Sequence, residues 1–190
     1  MDYYDKNTEQ FTESTINVDM GEIYKEFFAH LKKGATLLDA GCGPGRDTLE
    51  FLTRGYLVEA FDKSRTMAET ARKKTGINVQ CSTFEKFRGS DRFDGVWCCA
   101  SLLHVPMQDL GSTIEKLFHT LKSKGIIYMS FKYGEGERWE QGRHFTYLTE
   151  SSLAGITGKI RGMEEIRIWI TDDLRPGRTD KWLNAIYKHP

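Results

Sequence analysis

The sequence predicts an α/β protein built on a doubly wound, mostly parallel sheet of seven strands, with an antiparallel C-terminal hairpin and an N-terminal helical cap. Three observations predict it. Apolar runs of four to eight residues alternate with helical patterns from Thr36 onward, which is the signature of strands joined by crossover helices. The run at 36–40 meets glycines at alternate positions, Gly41, Gly43 and Gly45, before an apolar-periodic segment, giving strand, bare turn and helix in succession. Only "DDLRPGRTD" separates the last two apolar runs, too little for a crossover helix, so they pair antiparallel.

In order, the helical cap covers 1–33, where Ile23, Phe27 and Leu31 repeat at helical spacing. Strand 36–40 ("TLLDA") leads to helix 45–54, strand 56–61 ("YLVEAF") to helix 64–74, and strand 77–81 follows. Strand 92–99, with adjacent cysteines pointing to opposite faces, precedes helix 107–122 and strand 124–132. The glycine-interrupted segment 133–148 reads as a loop, followed by helix 149–157 and strands 164–171 and 181–188. The 190 residues suit one domain, 1–190, with 133–148 as a lid over it.

Lys plus Arg equals Asp plus Glu at 27 each, which gives no global electrostatic footprint for nucleic acid or an anionic membrane. The longest apolar stretches are strand-sized and residues 1–20 are acidic and polar, which excludes a spanning helix and a secretory signal and leads us to expect a cytoplasmic protein. Cys42, Cys81, Cys98 and Cys99 have no C-x-x-C spacing, so neither a zinc site nor a disulfide framework is expected, and no metal.

Three ligands compete for "GCGPGRDT". A phosphate loop requires G-x-x-x-x-G-K-[ST]; here Arg46 replaces the second glycine, Pro44 removes a donor and Asp47 brings negative charge. The dinucleotide pattern G-x-G-x-x-G matches at Gly41 and Gly43 and fails at Arg46, whose bulk opposes close helix packing. A nucleoside turn without phosphates accounts for more residues. Asp39 precedes the turn and Asp62 ends the next strand, so one carboxylate suits an ammonium and the other a ribose diol.

At these residues the chain resembles the Rossmann-like class I S-adenosylmethionine-dependent methyltransferases. "LLDAGCGPG" resembles their first motif, and "FDKSRTM" and "CSTFEKF" the ends of the next two strands; "RFDGVWCCASLLHVP" resembles the fourth strand and its exit loop. The resemblance implies S-adenosylmethionine as cofactor, S-adenosylhomocysteine as product, and a binding set with defined parts. Gly41, Cys42, Gly43, Gly45 and Arg46 lie along the methionine portion, with Asp39 on its amino group; Asp62 and Lys63 meet the ribose; Met67, Thr83 and Phe84 lie by the adenine; Ala100 and Ser101 pass beside the ligand. Thr83 stands where the family often has an aspartate. "GRDTLEFLTRGYLVEAFDKS" with "SLLHV" is most similar to tellurite-resistance-type and related small-molecule methyltransferases.

Methyl transfer from a sulfonium needs alignment and exclusion of water, with a base only for some nucleophiles. His104, after the fourth strand, is the candidate base; a capping or packing role stands beside it. Lys132, Tyr133, Arg143, His144 and Tyr147 sit in the glycine-bearing segment as lid or acceptor-binding candidates, against the alternative of a solvated loop. Arg175 and Arg178, in the terminal hairpin turn, read as solvent-exposed, against the alternative that this turn lies near the lid. Tyr3, Tyr4 and Met20 are candidates for the wall contributed by the N-terminal cap, with Tyr4 the one to touch cofactor or substrate. Three functions stay open at this stage: a methyltransferase for a small polar or anionic acceptor, an RNA methyltransferase acting on a tRNA nucleoside, and a non-catalytic cofactor-binding subunit. Neutral charge weighs against RNA. The sequence does not give the oligomeric state.

Overall fold

In the computed structural model, which describes residues 3–190, the described residues form one sheet of nine strands with helices on both faces. The expected cap is three short helices, α1 (Tyr3–Lys6), α2 (Thr8–Thr15) and α3 (Gly21–Phe28); residues 1 and 2 of that expectation lie outside the described residues. Then come β1 (Thr36–Ala40), α4 (Arg46–Thr53), β2 (Leu57–Asp62), α5 (Arg65–Thr75), β3 (Gln80–Cys81), β4 (Phe93–Cys98), α6 (Met107–Phe118) and β5 (Leu121–Tyr133). The chain ends with β6 (Gly136–Glu140), β7 (Arg143–Leu148), α7 (Glu150–Thr157), β8 (Glu164–Asp172) and β9 (Lys181–Lys188). Strands β3, β2, β1, β4 and β5 lie side by side and parallel. The terminal hairpin joins antiparallel, β9 against β5 and β8 against β9.

The core follows from the period of two along each strand. Val96 and Cys98 of β4 and Ile127, Met129 and Phe131 of β5 face Leu110, Ile114 and Leu117 of α6. Trp97 and Tyr128 point the other way, to Phe27 of α3 and Phe51 of α4, and stack on each other with ring centroids 4.0 Å apart.

Three expectations need correction. The third strand is only Gln80–Cys81, because Gly76 caps α5 in the left-handed conformation and residues 77–79 turn before the ladder begins. Helix α6 stops at Phe118 and β5 begins at Leu121, which pairs with Phe93 before a bulge that places Lys124 at φ +66°. The segment 133–148 is not a loop. Its centre is the antiparallel hairpin β6–β7, closed between paired Glu140 and Arg143 by Gln141 (φ +52°) and Gly142 (φ +75°). Positive φ at both central residues gives the turn whose twist matches that of the flanking strands. Lys132 pairs with Trp182 of β9 on one edge and Tyr147 of β7 on the other, so β7 takes the edge of β5 that β4 leaves after Cys98.

Candidate active site

The carboxyl ends of β1, β2, β4 and β5 open together, and two cavities lie over them. The larger, of about 520 Å³, is lined by Gly41, Cys42, Gly43, Asp62, Lys63, Met67, Thr83, Phe84, Ala100 and Ser101, among others. The turn after β1 is anchored from two sides. Gly41 and Cys42 donate to the Phe61 carbonyl at 2.9 and 3.0 Å, and Gly43 donates to Asp62 Oδ2 at 2.8 Å. A Cβ on Gly41 (φ +82°) would stand 2.5 Å from Ser101 Cβ, so backbone conformation and close approach both require glycine there. Asp62 is buried, its other oxygen accepting from the Ser64 amide at 2.8 Å. A carboxylate offers about four acceptor sites, enough to serve these amides and a diol together. Ser64 caps α5 and donates from Oγ to Asp5 Oδ1 at 2.6 Å, which fastens α1 to this strand end.

Two expected cofactor residues do not line the cavity. Gly45 packs under α5, where a Cβ would meet Ala71 Cβ at 3.0 Å. Asp39 is buried and accepts from Thr48 Oγ1 at 2.6 Å. Burial and the neighbouring Asp47 charge push its carboxyl up to about 8. Asp47, which in the sequence counts only against a phosphate, does line the cavity. Burial opposes its charge, but Arg46 holds its carboxyl below the usual range through Nε and Nη2 at 2.6 and 3.0 Å, helped by Tyr24 Oη at 2.5 Å and Trp97 Nε1 at 2.8 Å. Arg46 therefore lines the cavity as half of a buried ion pair, and its Nη1 donates to the Thr15 carbonyl of α2 at 3.2 Å.

The second cavity, of about 220 Å³, lies beneath the N-terminal helices and between the hairpin β6–β7 and the β8–β9 turn. Tyr4, Phe11, Thr15, Arg46, Cys99, Ala100 and His104 line both cavities, so the two meet along this wall. His104 ends the short 3₁₀ turn Leu102–His104 after β4. Its Nδ1 lies 2.7 Å from the His144 carbonyl and must donate to it, which leaves Nε2 to accept from Tyr4 Oη, also at 2.7 Å.

The structure thus brings Tyr4, His104, Lys132, Arg143 and Met20 to this second cavity. Three other candidates stand behind it. Tyr133 is on the surface at the end of β5; His144 contributes its backbone to His104 and its Nε2 to Glu137 at 2.9 Å; Tyr147 is buried and donates to Glu140 Oε1 at 2.6 Å. Arg175 is a correction, since it is half-buried in the cavity wall, with Nε on Asp173 Oδ1 at 2.9 Å, whereas Arg178 is exposed at the rim. Lys132 meets Glu140 at 3.1 Å and Asp180 at 3.8 Å. Burial alone would lower its pKa; the hydrogen bonds it donates to Tyr147 and Glu140 more than offset that and hold it above the usual value.

Residues 37–125 match the family described as "Methyltransferase domain". This stretch of the chain is similar to a methyltransferase domain. It holds the glycine turn, Asp62 and His104, while Tyr4 and Arg143 lie outside it. A putative methyltransferase, YqeM, of Bacillus subtilis is 29% identical over 118 residues, covering 56% of this chain and 48% of that protein. The ubiquinone biosynthesis O-methyltransferase of Coxiella burnetii is 30% identical over 104 residues, 52% of this chain and 44% of that one. The chain therefore spans less than half the length of these two relatives. A 1,6-didemethyltoxoflavin-N1-methyltransferase from Burkholderia thailandensis, solved with 1,6-didemethyltoxoflavin and S-adenosylhomocysteine bound, superposes with a TM-score of 0.80 at 23% identity, over 98% of this chain and 83% of that one. At that identity the likeness establishes a shared fold. Among the described residues, no helix is long and apolar enough to cross a membrane.

Proposed function

We propose that the protein is an S-adenosylmethionine-dependent methyltransferase acting on a small polar or anionic acceptor. One observation carries the reading: a 520 Å³ cavity over the glycine turn and Asp62 meets a separate 220 Å³ cavity at Tyr4, Ala100 and His104. The residues fit the cofactor. Asp62 serves a ribose diol, Met67, Phe84 and Thr83 flank a flat base, and the bare backbone of Gly41 to Gly43 admits the amino-acid portion beside the Arg46–Asp47 pair. When bound, S-adenosylmethionine supplies a methyl group activated on a sulfonium, so that the acceptor atom gains the methyl carbon as the carbon–sulfur bond breaks.

The chain's own contribution is alignment, dryness and a place for the acceptor's proton. An acceptor O–H or N–H in the smaller cavity donates to Tyr4 Oη. Tyr4 passes its proton to His104 Nε2, and the His144 carbonyl on Nδ1 steadies the imidazolium formed. His104 thus acts through Tyr4. Four unpaired cysteines suit a reducing compartment and support the cytoplasm as the place of the reaction. Titration calorimetry with S-adenosylhomocysteine and with NAD tests the cofactor: micromolar or tighter binding of the first is expected, and preference for NAD overturns the reading. Labelled methyl transfer to a small-molecule extract, with none to bulk tRNA, tests the acceptor class; incorporation into tRNA alone refutes it.

A further inference from the structure

We infer that Arg143 selects the acceptor, holding the carboxylate of a flat, ring-bearing molecule in the smaller cavity. The inference rests on the methyl-transfer reading for the role of that cavity.

Charge pairing singles Arg143 out. Four half-buried cations line the cavity, and three of them meet carboxylates: Arg46 on Asp47, Lys132 on Glu140, Arg175 on Asp173. Arg143 meets none among the described residues. Its Nη2 donates to the neutral Gln141 Oε1 at 3.0 Å, and its Nε is buried with no hydrogen-bond partner among the described residues. A buried donor without an acceptor is destabilising, and no group among the described residues satisfies this guanidinium fully. Guanidinium groups bind carboxylates through two parallel N–H bonds, so a group with one amide partner and one orphaned N–H is suited to that ligand.

The surroundings keep this cation in place. Its guanidinium carbon lies 4.1 Å from the centre of the Tyr3 ring and 5.0 Å from that of Phe145. It is 5.7 Å from the Tyr4 ring, so an anion on Arg143 brings the rest of the molecule beside the Tyr4 hydroxyl. Phe11, Tyr128, Phe145 and Trp182 supply apolar walls. Cavities of about 150 Å³ admit a benzene ring, and this one has about 220 Å³. A ring that carries the carboxylate at one edge and the methyl-accepting O–H or N–H at another satisfies Arg143 and Tyr4 together.

Calorimetry on the full chain loaded with S-adenosylhomocysteine tests this, with benzoate, quinoline-2-carboxylate and their primary amides as probes. At least one carboxylate is expected to bind tenfold or more tightly than its amide, and Arg143→Gln to erase that preference while keeping the amide's affinity. Affinity for S-adenosylhomocysteine reports on folding. Should the glutamine variant fail to bind it, Arg143→Lys carries the test, because it keeps the charge, lacks the planar fork and is expected to lose most of the preference. Equal binding of acid and amide, no binding of any probe, a preference that survives in the variant, or equal loss of acid and amide would each overturn the inference. Failure of the wild-type chain to bind S-adenosylhomocysteine would instead strike the methyl-transfer reading.

Discussion

Tyr4 and His104, a hundred residues apart in sequence, are joined by a 2.7 Å hydrogen bond that closes the wall between the two cavities. The Nδ1–H donation to the His144 carbonyl fixes the tautomer, so Nε2 is the acceptor and Tyr4 the donor. If this pair receives the acceptor's proton, Tyr4→Phe and His104→Gln both lower turnover by about a hundredfold or more, the usual scale of general-base catalysis. Affinity for S-adenosylhomocysteine should change little, and the double variant should be no worse than either single one, because the two groups form one path. Activity within a few fold of wild type in Tyr4→Phe would leave the pair a structural clasp.

The two carboxylates of the nucleoside site have separate tasks. Asp62 holds the Gly43 and Ser64 amides and faces the larger cavity, while Asp39 is turned to Thr48. Asp62→Ala is expected to weaken cofactor binding by about 1.5–3 kcal/mol, the scale of hydrogen bonds to a charged group, with further loss from the freed turn. Asp39→Asn, which keeps an acceptor for Thr48, should stay within about threefold, below ~1 kcal/mol. Calorimetry with S-adenosylhomocysteine reads both, and the reverse ranking would return the amino-group contact to Asp39.

Asp39 also gives the protein a pH signature. Burial and the Asp47 charge raise its carboxyl to about 8 in the folded chain, whereas an unfolded aspartate releases its proton near ~3.9. Between these values the folded state binds more protons than the unfolded state, so this group's contribution falls as pH rises through the window. Asp47 runs the opposite way: its lowered carboxyl stabilises the fold above the unfolded value and that contribution is lost on acidification through the folded one. Melting temperatures of wild type and Asp39→Asn from pH 5 to 9 should diverge steadily up to about pH 8, with the asparagine variant less sensitive. Parallel curves would place the proton elsewhere.

The parallel sheet and the lining of the larger cavity were legible because their signals are local. The spacing of Gly41, Gly43 and Asp62 lies within one strand–turn–helix–strand unit, and Met67, Thr83, Phe84, Ala100 and Ser101 come to the same cavity from the strand ends. Asp39 was harder to place, because adjacency to a turn does not say which way a strand side chain faces, and here it faces Thr48. The Arg46–Asp47 pair with Tyr24 and Trp97 joins three elements, and no local pattern announces it. The hairpin β6–β7 did carry a signal: Gln141–Gly142 lies between residues of strand character, yet its glycines read as freedom of movement instead of positive φ. Arg175 reads as solvent-facing because it lies in the polar terminal hairpin turn, and the fold is what brings that turn to the cavity and Arg175 onto Asp173.

That hairpin changes which part of the molecule should respond to ligand. Its ladder is complete without one, and it is tied to the body by Thr146 Oγ1 on the Val105 carbonyl at 2.7 Å and by the Lys132–Glu140 pair at 3.1 Å. α1 and α2 bury no side chain fully and dock through Asp5 on Ser64, the Thr8–Thr66 hydroxyl pair and Tyr4 on His104. Segments with little buried apolar surface open locally at low free energy, and a ligand bound beneath them adds the contacts they lack. Hydrogen exchange with and without S-adenosylhomocysteine should therefore show the β6–β7 amides already protected and the α2 amides gaining protection by tenfold or more. Asp5→Ala should reduce that gain without slowing exchange in β1 or β4. A hairpin that gains protection while α2 stays unchanged would restore the lid to residues 133–148.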